Sequence, residues 1–258
     1  MYRSRPAMVN TKIGLLGLMV GLALLIPARS DGALIDGSQL NIAGDGTVGA
    51  TFLNWNCNAP LGPACPGGTG NFAVDSSTGS FSQYNNGFGF IKNLNDTSQP
   101  LNSLFSLPSF ITFALNNNEV INLSFIPLGN DTPSANCSGV NHCTPILGAL
   151  VTAANPQGLS SFNLDYNGSG TAASFGIKGT IQDIGGSSAP ITGTYTAQFN
   201  NETPAQVLGL FAGAGANGLN STYSAQLSFT LVPEPMSLSL MGLGLVGLGL
   251  LGRRRTIK

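Results

Sequence analysis

Positive charge is nearly absent from the middle of this chain. Residues 34–232 contain no arginine and two lysines against nine aspartate and glutamate residues, so this segment carries a net charge of −7, while the whole chain carries −1. A protein that binds nucleic acid needs clustered lysine and arginine to displace the counterions of the phosphate backbone. The composition therefore excludes nucleic acid as a partner.

Histidine and recognisable catalytic motifs are equally scarce. His142 is the only histidine, so any serine–histidine or cysteine–histidine device has to use it. It lies in segment 129–145, which has no periodic pattern and which we expect to form an exposed loop. Neither G-x-S-x-G nor H-E-x-x-H occurs. The sequence thus predicts no catalytic residue, no cofactor and no enzymatic activity, with His142 as a solvated side chain.

The acidic residues nevertheless leave other functions open. Paired carboxylates can hydrolyse glycosides, and the candidates are Asp165 on a polar strand face and Glu119 at a strand start, although both are expected to be solvated surface acids. Calcium binding in turns is a further alternative, but the ligand spacing of an EF-hand loop is missing. The residues considered for calcium are Asp36, Asp45 and Asp131.

Aromatic side chains raise a second hypothesis, a carbohydrate-binding module. Trp55 is the only tryptophan, and together with scattered phenylalanine and tyrosine residues it offers rings on which a sugar could stack. Burial in a hydrophobic core is the commoner fate of such residues. We therefore expect Trp55 to lie in the core.

Four cysteines make up the whole cysteine content of the chain. Cys57 and Cys65 bracket one turn-rich loop, and Cys137 and Cys143 bracket another. In an exported chain these residues indicate disulfides, and of three possible connectivities we predict local pairing within each loop. A disulfide between the loops is one alternative. A metal site made of the four cysteines and His142 is another, disfavoured because neither pair has the tight spacing of zinc ligands; no metal is predicted.

The first 33 residues form the pattern of a secretory signal peptide. Basic residues within the first twelve precede the apolar run 13–26, and small residues follow as far as Ala33. As a helix the run would rise only about 21 Å, which is short of the bilayer core of about 30 Å. We predict that residues 1–33 are cleaved and that residues 34–231 form an exported domain.

The C-terminal tail, residues 232–258, combines three features in order. They are the tripeptide Pro233, Glu234 and Pro235, the apolar stretch 236–251, and a basic cluster of Arg253, Arg254 and Arg255. The apolar stretch is short for a membrane span, but arginine side chains can extend to the interface, so we predict a transmembrane helix. The basic cluster places the C-terminus inside, in agreement with export of the preceding domain.

A glycine motif inside this stretch has no nucleotide-binding context. Residues 242–247 read GLGLVG and match G-x-G-x-x-G. A dinucleotide site needs a strand before the motif, a helix after it and an acidic residue about twenty positions further on. Only eleven residues follow and none is acidic, so the match is a by-product of a leucine- and glycine-rich run.

The tail resembles the PEP-CTERM sorting signal of Gram-negative bacteria. The resemblance covers about the last 27 residues and departs mildly at Met236 and at the three residues after the arginines. It implies that the Pro233–Pro235 tripeptide is recognised by an exosortase-like membrane protease. It also implies an inner-membrane anchor before processing, a final location at the cell surface or outside the cell, and biofilm exopolysaccharide as a candidate partner.

Alternating apolar and polar residues run through the predicted exported domain. In STYSAQLSFTLV, for example, Tyr223, Ala225, Leu227 and Phe229 face one way. Further strands are predicted at 33–42, 47–55, 71–75, 87–94, 110–115, 120–126, 161–166, 174–181 and 191–199. Thr203 as N-cap and Pro204 in the first turn predict one short helix over 203–211. These elements predict an all-β fold, an antiparallel β-sandwich or jelly roll.

Overall fold

A computed structural model gives the fold and describes residues 34–58, 64–115 and 119–230. Thirteen strands lie within these ranges; every predicted strand region overlaps at least one of them, and two more lie in segment 129–145, where no strand is predicted. The strands are β1 (Gln39–Val48), β2 (Phe52–Trp55), β3 (Thr69–Val74), β4 (Phe88–Lys92), β5 (Leu94–Asn95), β6 (Leu107–Phe113), β7 (Glu119–Phe125), β8 (Pro133–Ser134), β9 (His142–Pro145), β10 (Asn163–Tyr166), β11 (Gly170–Asp183), β12 (Ser188–Asn200) and β13 (Leu219–Phe229).

Eight of these strands close into an antiparallel barrel. The order around the barrel is β12, β13, β1, β3, β4, β6, β7 and β11, and β11 pairs again with β12. The all-β antiparallel prediction is confirmed, but the two-sheet sandwich is wrong. Alternation specifies which face of a strand is buried, whereas closure depends on which distant strands pair.

Two strands of the barrel carry extensions. The first half of β11 pairs with β10, which pairs in turn with β9, while the second half of β11 pairs with β7. The last residues of β1 likewise leave β3 and pair with β2, which pairs with β5. Because β11 spans 14 residues, it is long enough to belong to the barrel at one end and to the extension at the other.

The barrel interior is filled by apolar side chains, as expected of eight strands. Tyr223, Ala225, Leu227 and Phe229 of β13 all point inward and are buried, which confirms the predicted alternation. Fully buried aromatic rings dominate the core, among them Phe72, Phe81, Phe110, Phe113 and Tyr195. Burial stabilises by about 25 cal/mol per Å² of apolar surface, so these large rings are major contributors to the core.

One α-helix, α1 (Pro204–Ala214), connects β12 to β13 as predicted. Thr203 caps it: its side chain accepts from the backbone N–H of Gln206, and Gln206 accepts from the Thr203 backbone in return. The helix packs outside the barrel, where Val207 joins a second, smaller apolar cluster with Cys137, Cys143 and Leu164. This cluster attaches the helix to the β9–β10 extension.

Both chain termini lie outside the described residues. The predicted signal peptide (1–33), the sorting tripeptide (233–235), the predicted transmembrane helix (236–251) and the arginine cluster (253–255) all belong there. In the part of the chain that the structure describes, no helix has the length and apolar character needed to cross a membrane.

Candidate functional site

The β9–β10 extension brings the only histidine to a carboxylate. His142 is the first residue of β9, and the antiparallel register places it opposite Asp165 of β10. Its Nδ1 lies 2.6 Å from Oδ1 of Asp165, and the two side chains are 67% and 42% exposed. His142 is thus solvent-accessible. The prediction of a loop over 129–145 is wrong, because this segment contains β8 and β9.

A second carboxylate reaches the same point from the loop between β7 and β8. The backbone N–H of Asp131 donates to Oγ1 of Thr144 at 2.9 Å, which fixes the loop against β9. Oδ2 of Asp131 is buried and accepts no hydrogen bond. One ligand atom each from Asp131, His142 and Asp165 lie within 4.8 Å of one another, and the described residues contain no other such group of three.

The cluster is electrostatically coupled. The hydrogen bond that Nδ1–H of His142 donates to Asp165, followed by the charges of Asp165 and Asp131, raises the pKa of His142 above its usual value. Burial, and then the charge of Asp165, raises the pKa of Asp131. Two carboxylates that approach each other and a single imidazole form a site that attracts a proton or another cation.

A disulfide and a polar network hold this arrangement. Cys143, next to His142, is fully buried and bonded to Cys137. Behind the cluster, Oγ1 of Thr144 donates to Oδ1 of Asn163 at 2.7 Å. The side chain of Asn163 also donates to Oδ1 of Asn130, at 2.7 Å. The three potential ligands therefore lie on backbone segments that are fixed to one another.

Both disulfides follow the predicted local pairing. Cys57 is bonded to Cys65 and Cys137 to Cys143, with Cα–Cα distances of 5.9 and 5.7 Å that suit a disulfide. The alternative metal site made of four cysteines and His142 is wrong, because every sulfur is bonded to another sulfur. The alternative of a disulfide between the two loops is wrong for the same reason.

The two acids considered for glycoside hydrolysis lie far apart. Asp165 faces Ala172 near the start of β11, whereas Glu119 faces Asp183 at its end. Ala172 and Asp183 are eleven positions apart along the extended strand, a distance of about 36 Å. Glycosidase carboxyl groups act at separations of about 5 to 10 Å, so Asp165 and Glu119 do not form such a pair.

Glu119 is not the solvated acid that the sequence suggests. It is 3% exposed and Asp183 beside it is 5% exposed. Glu119 accepts from the Tyr84 hydroxyl and, at 3.0 and 3.1 Å, from Nε2 of Gln83. Burial is the main cause that raises the pKa of Glu119, and the charge of Asp183 raises it further. We interpret this buried pair as part of the barrel framework.

The carboxylates considered for calcium do not assemble. Asp45 lies on β1, where its carboxylate accepts from the Asn58 side chain, and Asp36 lies before β1. Only Asp131 belongs to a cluster, and its partners are His142 and Asp165. The sequence carries no signal for this grouping, since it arises from the pairing of two short strands and one loop.

Trp55 lies in the core, as expected. It is 4% exposed, its indole N–H donates to the backbone oxygen of Lys92 at 2.8 Å, and its ring packs against Tyr195 and Tyr223. Among the described residues, every tryptophan, tyrosine and phenylalanine is at least partly buried. A sugar therefore finds no fully exposed ring on this part of the chain.

A cleft on the barrel wall is lined by uncharged residues, unlike the Asp131–His142–Asp165 cluster. It lies where the registers of β6 with β7 and of β7 with β11 shift, and its volume is about 580 Å³. At the second shift Gly179 is required, because a Cβ atom there would lie 2.0 Å from the backbone oxygen of Asn122. The polar residues of the lining are neutral: Ser106, Ser109, Asn122, Ser124, Thr180 and Gln182.

The fold and the cluster define an eight-stranded antiparallel barrel that carries a disulfide-linked extension with an exposed Asp–His–Asp group. Comparison with protein-family models, with curated proteins and with solved structures gave no match to this chain.

Proposed function

We propose that this chain is an exported protein of the cell envelope or extracellular matrix, without catalytic activity of its own. The observation that carries the proposal is the pair of disulfides. All four cysteines are bonded in pairs, and such bonds persist in oxidising compartments outside the cytoplasm. The basic and apolar pattern of residues 1–33 agrees with the same route.

The tail supplies the second part of the proposal. The Pro233–Pro235 tripeptide, the apolar stretch 236–251 and the arginine cluster resemble a sorting signal in composition and order. An exosortase-like enzyme then cleaves or transfers the chain near the tripeptide. Before that step the apolar stretch anchors the chain in the inner membrane, and afterwards the barrel reaches the cell surface or the matrix.

The arrangement of acids supports a role without catalysis. Asp165 and Glu119 sit at opposite ends of β11. Two other acid pairs form: Glu119 with Asp183 is buried, and in the pair of Asp131 with Asp165 one carboxylate is hydrogen-bonded to His142 while Oδ2 of the other is shielded from solvent. Glycoside hydrolysis by paired carboxyl groups requires substrate, water and both groups at one accessible point.

Replacement of Glu234 tests the sorting step. We expect Glu234→Gln, made in the native host, to leave the chain full-length at its C-terminus and in the membrane fraction, because the tripeptide loses its only charge. Glu202→Gln removes an equal charge from the barrel and should be processed normally. Normal processing of Glu234→Gln would contradict the sorting proposal.

Glycan binding is the second candidate function, and the neutral cleft favours it. Its hydroxyl and amide side chains match the hydrogen-bonding groups of a neutral polysaccharide, and its volume falls within the usual range for binding pockets. A glycan array probed with the full chain tests this role. We expect Gln182→Ala to lower any signal, whereas Gln198→Ala, at an exposed position of β12, should not.

A further inference from the structure

We propose that Asp131, His142 and Asp165 bind one divalent metal ion of the zinc class. Each carboxylate contributes one oxygen and the imidazole contributes Nδ1. The inference goes beyond the proposed function and does not rest on it, since a cation site at the extension requires neither sorting nor glycan binding.

The donor set selects the class of metal. Imidazole nitrogen is a good ligand for zinc and its transition-metal neighbours, whereas calcium and magnesium prefer six or more oxygen ligands. Three protein ligands plus water is a common zinc arrangement when the site is open to solvent. With side-chain exposures of 67% and 42%, His142 and Asp165 leave room for such a water.

The carboxylate of Asp131 provides a second observation that agrees with a cation site. Asp131 is partly buried and its carboxyl group interacts with that of Asp165, while its Oδ2 atom is shielded from solvent and accepts no hydrogen bond from a donor group. Neither lysine of the described residues pairs with the Asp131 carboxylate: Lys92 donates to the backbone oxygen of Pro108, and Lys178 lies over the Phe125 ring. A metal ion bound between the carboxylates would satisfy the group.

Little movement is needed to admit the ion. Two ligands at about 2.0 to 2.1 Å from a tetrahedral zinc ion lie roughly 3.3 Å apart. The Nδ1–Oδ1 distance between His142 and Asp165 is 2.6 Å, so these exposed side chains have to separate slightly. The backbone can stay in place, because the register of β9 with β10 and the Cys137–Cys143 bond hold it.

The single histidine makes the test direct. The full chain, with both disulfides formed and without a histidine tag, is labelled with ¹⁵N-histidine, solubilised in detergent and titrated with zinc. His142 is the only histidine, so every imidazole ¹⁵N signal of the labelled chain comes from this residue. We expect its Nδ1 resonance, and not Nε2, to carry the metal shift and to saturate at one zinc per chain. Asp131→Asn and Asp165→Asn should each weaken binding at least about tenfold, while Asp75→Asn, an exposed acid elsewhere, should not.

Several results would overturn the proposal. No saturable shift, a shift at Nε2, or equal affinity in the wild type and both asparagine variants would each show that the three residues do not form a site. Saturable calcium binding with no response to zinc would refute the class of metal. Far-UV circular dichroism establishes that each variant is folded. If Asp131→Asn does not fold, the test relies on Asp165→Asn, which lies on the exposed side of the cluster.

Discussion

The two ends of strand β11 carry two acidic clusters in opposite environments. Near its start, Asp165 of the neighbouring strand is exposed and paired with His142. At its end, Asp183 and Glu119 face each other with less than a tenth of either residue exposed. The difference arises from the fold: β11 pairs with β12 along its length, but on its other side the first half pairs with β10 of the extension and the second half with β7 of the barrel.

This contrast shows why the same residue type serves different purposes. A buried carboxyl must be satisfied by neighbouring donors or hold a proton, and Glu119 has the Tyr84 hydroxyl and Gln83 as donors. An exposed carboxyl exchanges its partners with solvent at low cost. The buried cluster therefore belongs to the stability of the barrel, and the exposed cluster is available to a ligand.

The largest effect on stability is expected at the buried end. Glu119→Ala removes the acceptor of two donors and leaves a cavity, so the free energy of unfolding should fall by about 2 kcal/mol or more. Urea unfolding followed by tryptophan fluorescence measures it, since Trp55 is buried. A loss below about 0.5 kcal/mol would mean that the cluster contributes little.

Removal of either disulfide should lower stability by a similar amount, but only removal of the Cys137–Cys143 bond should weaken zinc binding. Replacing Cys137 and Cys143 by serine opens a loop with a sequence separation of 6, and replacing Cys57 and Cys65 opens one with a separation of 8. Loop closure of this length contributes about 2 kcal/mol in each case. Zinc titration should distinguish the variants, because only the first bond adjoins His142. Equal zinc affinity in both would argue against a role for the disulfide in positioning.

The pH dependence of stability should change with Glu119. Its pKa is raised in the folded state, so the native chain keeps this proton at a pH where the unfolded chain has lost it. The resulting contribution to stability is full below the unfolded pKa and is lost as pH rises through the folded pKa. Glu119→Gln should remove this contribution. Urea unfolding of both proteins from pH 4 to 7 would show parallel profiles if the prediction is wrong.

The smallest effect is expected at the exposed end. His142→Gln removes an imidazole that lies mainly in solvent, so the midpoint of urea unfolding should stay unchanged within error. The same variant should lose its zinc response in isothermal titration calorimetry. A clear loss of stability would mean that the His142–Asp165 pair is structural rather than available to a ligand.

Local chemistry made much of the fold predictable. The alternation around Tyr223 and Leu227 identified a strand and its buried face, and Thr203 with Pro204 marked the start of the helix. Short loops between cysteines indicated the disulfides. In each case the relevant interactions lie within a few residues of one another along the chain.

The rest depends on contacts between distant segments. Closure of the barrel requires the pairing of β1 with β13 and of β7 with β11, which alternation does not specify. Burial of Glu119 follows from the pairing of β7 with β11, and the meeting of Asp131, His142 and Asp165 follows from the pairing of β9 with β10 and the packing of a loop against β9. The segment around His142 showed no pattern because β9 has only 4 residues, too few to display a period.

Intact mass of the mature protein from its native host, with and without reductant, tests the central claim most directly. The account predicts a chain that has lost the signal peptide, ends near the Pro233–Pro235 tripeptide, and gains the mass of two hydrogens per disulfide on reduction. A chain that retains both ends, or whose mass does not change on reduction, would contradict export and sorting.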